Sequence, residues 1–222
     1  MCPPFAPEYT EDAVSPYPSC MHSAKSSEPS VVFETTRLVV RPATAEDASL
    51  ICELWTDPRV TTLVGFPKGI PTSVGEIQEQ IVRDAGRPYA RLLIAVRRED
   101  RAAIGQIKLG EPGADGIAEP DIKLSPAYWG QGYGRELWSA MIDLLFGETD
   151  CRLVQGTPNV ANTASIRMMA SCEMRRTAEG VFEPPERMVD VMVAVPHCVY
   201  RIDRETWNAR RRGDVASSAS PD

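Results

Sequence analysis

Three glycines at alternate positions, Gly130, Gly132 and Gly134, constrain this chain more than any other feature of its sequence. They follow an apolar-alternating run at residues 117–124 and precede a periodic apolar run at residues 136–146, which predicts a strand, a tight turn and a helix. Glycine adopts positive φ at no steric cost and lets a ligand approach the backbone closely. A helix start adds unpaired N–H groups and the positive end of the helix dipole. The segment therefore predicts an anion site for phosphate or diphosphate, although a plain glycine-rich turn shows the same pattern.

Composition limits the classes of function open to the chain. Its 222 residues fit one domain with tails, and a hydrophobic content of 43% is enough for a core. A net charge of −7 argues against a general nucleic-acid binder and mildly favours a cationic small molecule or peptide as partner. No apolar run approaches membrane-spanning length, and the N-terminus lacks the pattern of a signal peptide. We therefore expect a cytoplasmic monomer or homodimer without a membrane or nucleic-acid partner.

Cysteine and histidine usage argues against several kinds of metal and redox site. The six cysteines are scattered without a Cys-x-x-Cys pair, which indicates free thiols rather than a zinc or redox motif. Only His22 and His197 are present, so we expect no metal site and little histidine-based catalysis. Cys151 and Cys172 are poor candidates for a nucleophile because nothing in the sequence pairs either thiol with a base.

The order of the predicted elements indicates an α+β fold in one domain. Residues 1–30 are rich in Pro and Ser and poor in apolar residues, which predicts a disordered N-terminal tail. Residues 208–222 are polar and predict a flexible C-terminal tail. Between the tails, residues 31–207 follow the order strand, two helices, three strands, helix, strand, helix and two strands. This order predicts a mostly antiparallel central sheet with helices on both faces.

Local signals predict the ends of several elements. Capping boxes begin at Thr44 and Ser73, and each predicts the start of a helix. Gly147 predicts the end of the helix that follows the glycine turn. The strand at residues 117–124, before that helix, and the strand at residues 151–156, after it, are expected to be parallel neighbours joined by a right-handed crossover.

Several segments, in order along the chain, resemble the GNAT superfamily of N-acetyltransferases. Residues 36–41 are similar to the family's opening strand, and residues 126–134 resemble its acetyl-CoA diphosphate loop. Residues 200–207 resemble the closing strand and cap of the branch that contains ribosomal-protein alanine N-acetyltransferases. The resemblance covers residues 31–207, and the ordered set favours the anion site over the plain turn.

Single positions both support this resemblance and depart from it. Glu119 lies before the glycine turn, at a position that is often acidic in the superfamily. Asn162 and Ser165 match the Asn-x-x-Ser start of the family's fourth helix, although a helix cap uses the same residue types. Glu173 stands where that helix usually ends in a capping glycine, and the tyrosine that many relatives carry there as general acid is absent. The resemblance therefore leaves the proton donor to the CoA thiolate unidentified.

The resemblance implies a GNAT-like fold in which a parallel strand pair is splayed at the CoA site. It implies direct acetyl transfer in a ternary complex from acetyl-CoA to a primary amine, on a small molecule or a peptide N-terminus. Backbone N–H groups of residues 122–124 would pair with the pantetheine arm and serve the oxyanion, and those of the turn would take the diphosphate. The implied cofactor-binding residues are Ile122, Lys123, Leu124, Trp129, Gly130, Gln131, Gly132, Tyr133, Gly134, Arg135, Asn162 and Ser165. The departures motivate an alternative, a non-catalytic CoA-binding or interaction module on the same fold.

Two carboxylates are the candidate catalytic groups. Glu119 is the candidate base, acting through a water, because an ammonium acceptor must lose a proton before it attacks. Asp121 is its alternation partner and is expected on the same side of the strand. The pair is equally consistent with an anchor for a cationic acceptor or with two solvated charges. Lys123 shares that face and is interpreted as a salt-bridge partner rather than a catalyst.

Overall fold

The computed structural model describes residues 30–212. Residues 1–29 of the N-terminal tail predicted at 1–30, and residues 213–222 of the C-terminal tail predicted at 208–222, lie outside the described residues. Within this range the strands are β1 (Phe33–Glu34), β2 (Leu38–Pro42), β3 (Leu93–Arg97), β4 (Ala103–Lys108), β5 (Ile117–Ala118), β6 (Asp121–Leu124), β7 (Leu153–Gly156), β8 (Arg175–Phe182) and β9 (Val195–Asp203). The helices are α1 (Ala48–Thr56), α2 (Pro58–Thr61), α3 (Val74–Arg83), α4 (Tyr133–Glu148), α5 (Thr163–Ser171) and α6 (Arg204–Arg212). None of these helices has the length and apolarity needed to span a bilayer.

The strands form two sheets, and the chain passes from one sheet to the other between β5 and β6. The first has the order β1-β2-β3-β4-β6 and is antiparallel throughout. The second has the order β5-β7-β9-β8, and its β5–β7 pair is parallel. Helix α4 lies between these two parallel strands in sequence. The architecture confirms the predicted α+β fold with a mostly antiparallel sheet and one parallel pair.

Two hydrophobic clusters cover opposite faces of the first sheet. Alternate residues of β3 enter them, with Leu93 in one cluster and Ile94 in the other. The larger cluster contains Leu137 of α4, together with residues of α5 and of the second sheet. The smaller cluster contains Ile51 of α1 and Ile77 of α3. Helices therefore lie on both faces, as the sequence predicts.

The strand predicted at residues 117–124 is in fact two strands. β5 pairs in parallel with β7, β6 pairs antiparallel with β4, and Glu119 and Pro120 separate them. Pro120 has no N–H with which to continue a ladder. Gly110 has a φ of +76°, and a Cβ atom there would lie 2.5 Å from the Glu119 carbonyl oxygen, so only glycine lets the end of β4 approach the break. The predicted parallel pair is confirmed, but it is two residues long.

Helix α4 does not end at Gly147, as predicted from its sequence, but at Glu148. The reason lies in a distant side chain. Arg204 donates hydrogen bonds from Nη1 to the Phe146 carbonyl, from Nη2 to the Thr149 carbonyl and from Nε to the Cys151 carbonyl. A cationic side chain that satisfies the last carbonyls of a helix takes over the role of a capping glycine.

Other helix ends agree with their sequence signals or extend them. In the Ser73 capping box, Oε2 of Glu76 accepts from the Ser73 N–H at 2.7 Å, and Ser73 Oγ accepts from the Glu76 N–H. At the C-terminus, Asp203 Oδ1 accepts from the Thr206 N–H at 2.7 Å and begins α6. This helix continues through residues 208–212, five residues past the predicted domain boundary.

Glu173 follows α5 with a φ of +62°, which is disfavoured for residues with a Cβ atom but not for glycine. Its ion pair with Arg210 is half-exposed at 3.5 Å and contributes little to stability. We expect Glu173→Gly to raise the free energy of unfolding in urea by roughly 1 kcal/mol, because it relieves this backbone strain. Glu173→Ala removes the same ion pair but keeps the strain, so it should not stabilise. A Glu173→Gly variant less stable than wild type would contradict this explanation.

Candidate active site

The glycine turn presents a row of unengaged backbone donors at the start of α4. Gly130 and Gly132 have φ values of +72° and +82°, and Gly132 is the N-cap residue of the helix. Within residues 30–212, no backbone N–H from position 130 to position 135 donates a hydrogen bond. The six donors belong to Gly130, Gln131, Gly132, Tyr133, Gly134 and Arg135. Consecutive free N–H groups at a helix N-terminus favour an anion.

Two of the predicted binding residues use their side chains to hold the turn. Trp129 donates from Nε1 to the Leu124 carbonyl at 2.8 Å, although its side chain is 47% exposed. The Trp129 N–H donates to the Pro126 carbonyl at 3.3 Å, so this amide is not part of the free row. Gln131 donates from Nε2 to the Ala127 carbonyl at 3.0 Å. These contacts connect the turn to the end of β6.

The third glycine of the motif has a packing role. Gly134 has an ordinary helical φ, and a Cβ atom there would lie 3.1 Å from Met168 Sδ of α5. An added side chain would therefore require the Met168 side chain to move. Tyr133 beside it is buried in the main core, so its backbone rather than its side chain faces a ligand.

One edge of β6 is open. The Ser125 N–H donates to the Ile104 carbonyl of β4 at 2.9 Å, and the register continues with Lys123 opposite Gln106. Backbone groups alternate in direction along an antiparallel strand, so the Lys123 N–H also points to β4. The N–H groups of Ile122 and Leu124 point to the other side, where β6 has no neighbouring strand among residues 30–212. Of the three residues whose N–H groups were predicted to pair with pantetheine, Lys123 therefore does not fit, because its N–H points toward β4.

Glu119 lies at the strand break in a hydrogen-bonded chain of three side chains. Gln155 of β7 donates from Nε2 to Glu119 Oε1, and Arg201 of β9 donates from Nε to Gln155 Oε1 at 2.7 Å. Because an arginine can only donate, the Gln155 amide is held with its NH₂ group toward Glu119. Burial raises the pKa of Glu119, and the hydrogen bond from Gln155 and the charge of Arg201 partly oppose this shift.

Asp121 has a different partner. Lys123 Nζ lies 2.5 Å from Asp121 Oδ2, and the Lys123 side chain is only 3% exposed, so the predicted salt bridge is confirmed. Both residues alternate with Ile122 and Leu124, which pack on the main core, and they therefore lie on the opposite sheet face. The two candidate carboxylates were expected to act as alternation partners on one strand. The structure separates them by the break and gives each its own partner.

The start of α5 is capped by its own motif. Asn162 Oδ1 accepts from the Ser165 N–H at 3.1 Å, so this oxygen serves as the N-cap. Contacts of Asn162 and Ser165 with CoA stay a prediction. Tyr200 is buried in the main core, which favours packing over an acid role for it. No tyrosine lies in α5.

A pocket lies beside the segment that leads into the turn. An open pocket of about 410 Å³ separates α1 and α2 from the start of the turn, and its lining includes Glu53, Asp57, Ser125 and Pro126. Within residues 30–212, no group of three His, Cys, Asp or Glu side chains is arranged to hold a metal ion.

Residues 37–175 match the sequence model of a family described as an acetyltransferase (GNAT) domain. The chain belongs to the GNAT acetyltransferase family. This GNAT protein is accordingly an N-acetyltransferase, and its resemblance to the family is confirmed. Family membership favours an enzyme over the alternative of a non-catalytic module.

Several relatives share the fold or the sequence of this GNAT protein. An uncharacterized N-acetyltransferase named p20, from Bacillus licheniformis, is 26% identical over 163 residues, covering 71% of this chain and 90% of the relative. A spermidine N-acetyltransferase from Vibrio cholerae, solved with CoA and spermine, has a TM-score of 0.66 at 17% identity, covering 78% of this chain and 99% of that one. A ribosomal-protein-S5-alanine acetyltransferase from Vibrio fischeri has a TM-score of 0.62 at 17% identity, covering 79% and 97%. The two solved relatives have different amines in their names, so fold similarity does not select an acceptor.

Sequence reasoning missed Gln155 and Arg201 as neighbours of Glu119. Arg201 had no distinct signal, because its strand β9 also contains His197 and Asp203. Gln155 had a weak signal, because it is a polar residue that follows Leu153 and Val154 in the short strand β7. A lone polar residue in such a strand needs a partner, but the sequence does not say which one. Only the pairing of β7 with β9, which places Gln155 opposite Arg201, brings them together.

We expect Gly132→Val to weaken CoA binding at least about tenfold, the value of one hydrogen bond to a charged group, while the protein stays folded. Valine disfavours the left-handed φ of this position, so the peptide planes rotate and the donors no longer point the same way. The nearest atom to a Cβ atom there is Arg37 Nη2 at 3.4 Å, which leaves room for the side chain. Isothermal titration with CoA measures the change.

Gly147→Ala is the matched control, since it lies at the far end of the same helix with no atom within 4 Å of an added Cβ. It should bind CoA as wild type does. Unchanged CoA affinity in Gly132→Val would show that the turn does not bind the diphosphate.

Proposed function

We propose that this chain moves an acetyl group from acetyl-CoA to a primary amine by direct transfer in a ternary complex. The observation that carries the proposal is the row of six free N–H groups from Gly130 to Arg135, beside the open edge of β6. The row supplies donors for the diphosphate. The outward N–H groups of Ile122 and Leu124 supply donors for the pantetheine amides and for the oxyanion.

The reaction then needs a base, and Glu119 is the residue we assign to it. A protonated amine first gives its proton, through a water, to the Glu119 carboxylate. The neutral nitrogen attacks the thioester carbonyl, a C–N bond forms, and the oxyanion is stabilised by the Leu124 N–H. The C–S bond then breaks with its electron pair on sulfur as the C=O bond re-forms, and the sulfur takes up the proton that the attacking nitrogen loses. No covalent intermediate with the protein is involved.

The environment of Glu119 suits this role. Burial raises the pKa of Glu119 toward neutral pH. A carboxylate with a raised pKa is a stronger base than an exposed carboxylate with an ordinary pKa. Gln155 is fixed by Arg201 and keeps one oxygen of Glu119 in place. The other oxygen is left for a water. Asp121, which is paired with Lys123, is better suited to attract a cationic amine than to take its proton.

The acceptor is a small amine or a peptide N-terminus. The net charge of −7 and the acidic residues of the pocket beside the turn, Glu53 and Asp57, favour a cationic acceptor in either class. Asp57 is already bonded to Arg59, whereas Glu53 lies exposed on α1. Both acceptor classes occur among the names of the solved relatives.

The function is tested by titrating the protein with acetyl-CoA and then measuring thiol release against a panel of amines that includes spermidine and short peptides. We expect saturable binding, with turnover for at least one amine. No binding at millimolar acetyl-CoA would contradict the proposal. Binding without turnover of any amine would favour the non-catalytic module instead.

We expect Glu119→Gln to lower kcat and to remove the acid limb from the pH profile of kcat/KM. In wild type this limb should lie above the ordinary glutamate pKa of 4.5, because burial raises the pKa of Glu119. Glu148→Gln, an exposed carboxylate at the end of α4, is the control and should keep both activity and limb. Wild-type kinetics in Glu119→Gln would remove Glu119 as base.

The same pKa shift sets the sign of the stability effect. While Glu119 is protonated, the folded protein buries no charge at this position. The raised pKa therefore favours the folded state at low pH, and this stabilisation is lost as the pH rises through the pKa of the folded state. The Glu119→Gln variant should therefore have a free energy of unfolding at neutral pH that is no lower than that of wild type. A strong loss of stability would mean that Glu119 is a structural residue.

A further inference from the structure

A side chain from the start of the chain reaches the glycine turn. Arg37 immediately precedes β2, yet its Nη1 donates to the Gln131 carbonyl at 3.0 Å, 94 residues away in sequence. Its guanidinium also lies over the Tyr133 ring, 4.3 Å from the ring centroid. The side chain is 43% exposed, so burial alone does not explain why it is held in this place.

The contact fixes the direction of one peptide plane in the turn. In a trans peptide the C=O of one residue and the N–H of the next point in opposite directions. The bond from Arg37 draws the Gln131 carbonyl to the outside of the turn, so the Gly132 N–H points away from Arg37. A carbonyl that accepts a hydrogen bond from a cation also polarises its own peptide group, which makes that N–H a better donor.

Arg37 also compensates a charge that opposes an anion. Glu136, in the first turn of α4, accepts from Arg37 Nε at 2.6 Å, from the Arg37 N–H at 2.8 Å and from Thr35 Oγ1 at 2.6 Å. Burial raises the pKa of Glu136, but these hydrogen bonds outweigh it and leave the pKa below the ordinary value. Glu136 is therefore ionised near the predicted diphosphate, and Arg37 offsets its repulsion.

We propose that Arg37 is a positioning residue for the diphosphate site, holding the Gln131–Gly132 peptide with its N–H toward the ligand while neutralising Glu136. The inference rests on the proposed use of acetyl-CoA. It applies to the diphosphate half of the ligand alone, because Arg37 contacts the turn and α4 but not β6. A planar guanidinium can bond to a carboxylate and a carbonyl at once, and a lysine ammonium lacks this fork.

The test compares three variants, Arg37→Gln, Arg37→Lys and Arg98→Gln. Arg98 is the matched control, since it is 41% exposed, pairs with Glu34 at 2.6 Å and donates to the Thr35 carbonyl at 3.1 Å, away from the turn. Each variant is titrated with CoA. Each is then assayed with S-acetylpantetheine, a thioester that lacks the diphosphate, and with the best amine acceptor.

We expect both Arg37 variants to raise the Kd for CoA about tenfold, the value of one hydrogen bond to a charged group, and Arg98→Gln to leave it unchanged. Turnover of S-acetylpantetheine should stay at the wild-type rate in all three. Unchanged CoA affinity in Arg37→Gln, or an equal loss with S-acetylpantetheine, overturns the assignment. If wild type itself does not bind CoA, the proposed function fails, which is a different result.

Discussion

The break between β5 and β6 is the constraint on which the site depends. At Glu119 and Pro120 the chain leaves its parallel partner β7 and joins β4, so that β6 has an open edge. Pro120 cannot donate to either ladder, and Gly110 allows the close backbone approach that the change of partner requires. A continuous strand would have paired along its whole length with β7. It would have left no free N–H groups for a ligand.

The same break brings together groups that have different chemical roles. The open edge offers backbone donors, the glycine turn at its end offers six more, and Glu119 lies at the opposite end of β6. These groups come from one short segment of chain, but they are held by distant ones. Arg37 holds the turn, and Gln155 and Arg201 hold Glu119. The direct transfer that we propose requires such fixed geometry, because in it neither the acetyl donor nor the acceptor is covalently bound to the protein.

Much of the fold follows from local signals in the sequence, and the failures have physical reasons. The start of α3 was predicted correctly because a capping box acts within four residues. The prediction that α4 ends at Gly147 was wrong because the last carbonyls of the helix are capped by the side chain of Arg204, which lies far along the chain. The apolar alternation of residues 117–124 predicted one strand, because such a pattern does not show which neighbouring strand each residue pairs with. The turn was recognisable by its glycines, whereas Gln155 and Arg37 take part through tertiary contacts that no local pattern records.

The most direct measurement is the response of the turn's backbone amides to ligand, observed by two-dimensional ¹H–¹⁵N NMR. Addition of CoA should shift the resonances of residues 130–135 strongly, because each N–H gains or neighbours a phosphate oxygen, while pantetheine alone should shift mainly Ile122 and Leu124. If the six amide resonances stay in place when CoA saturates the protein, the turn does not hold the diphosphate, and the proposed site is wrong.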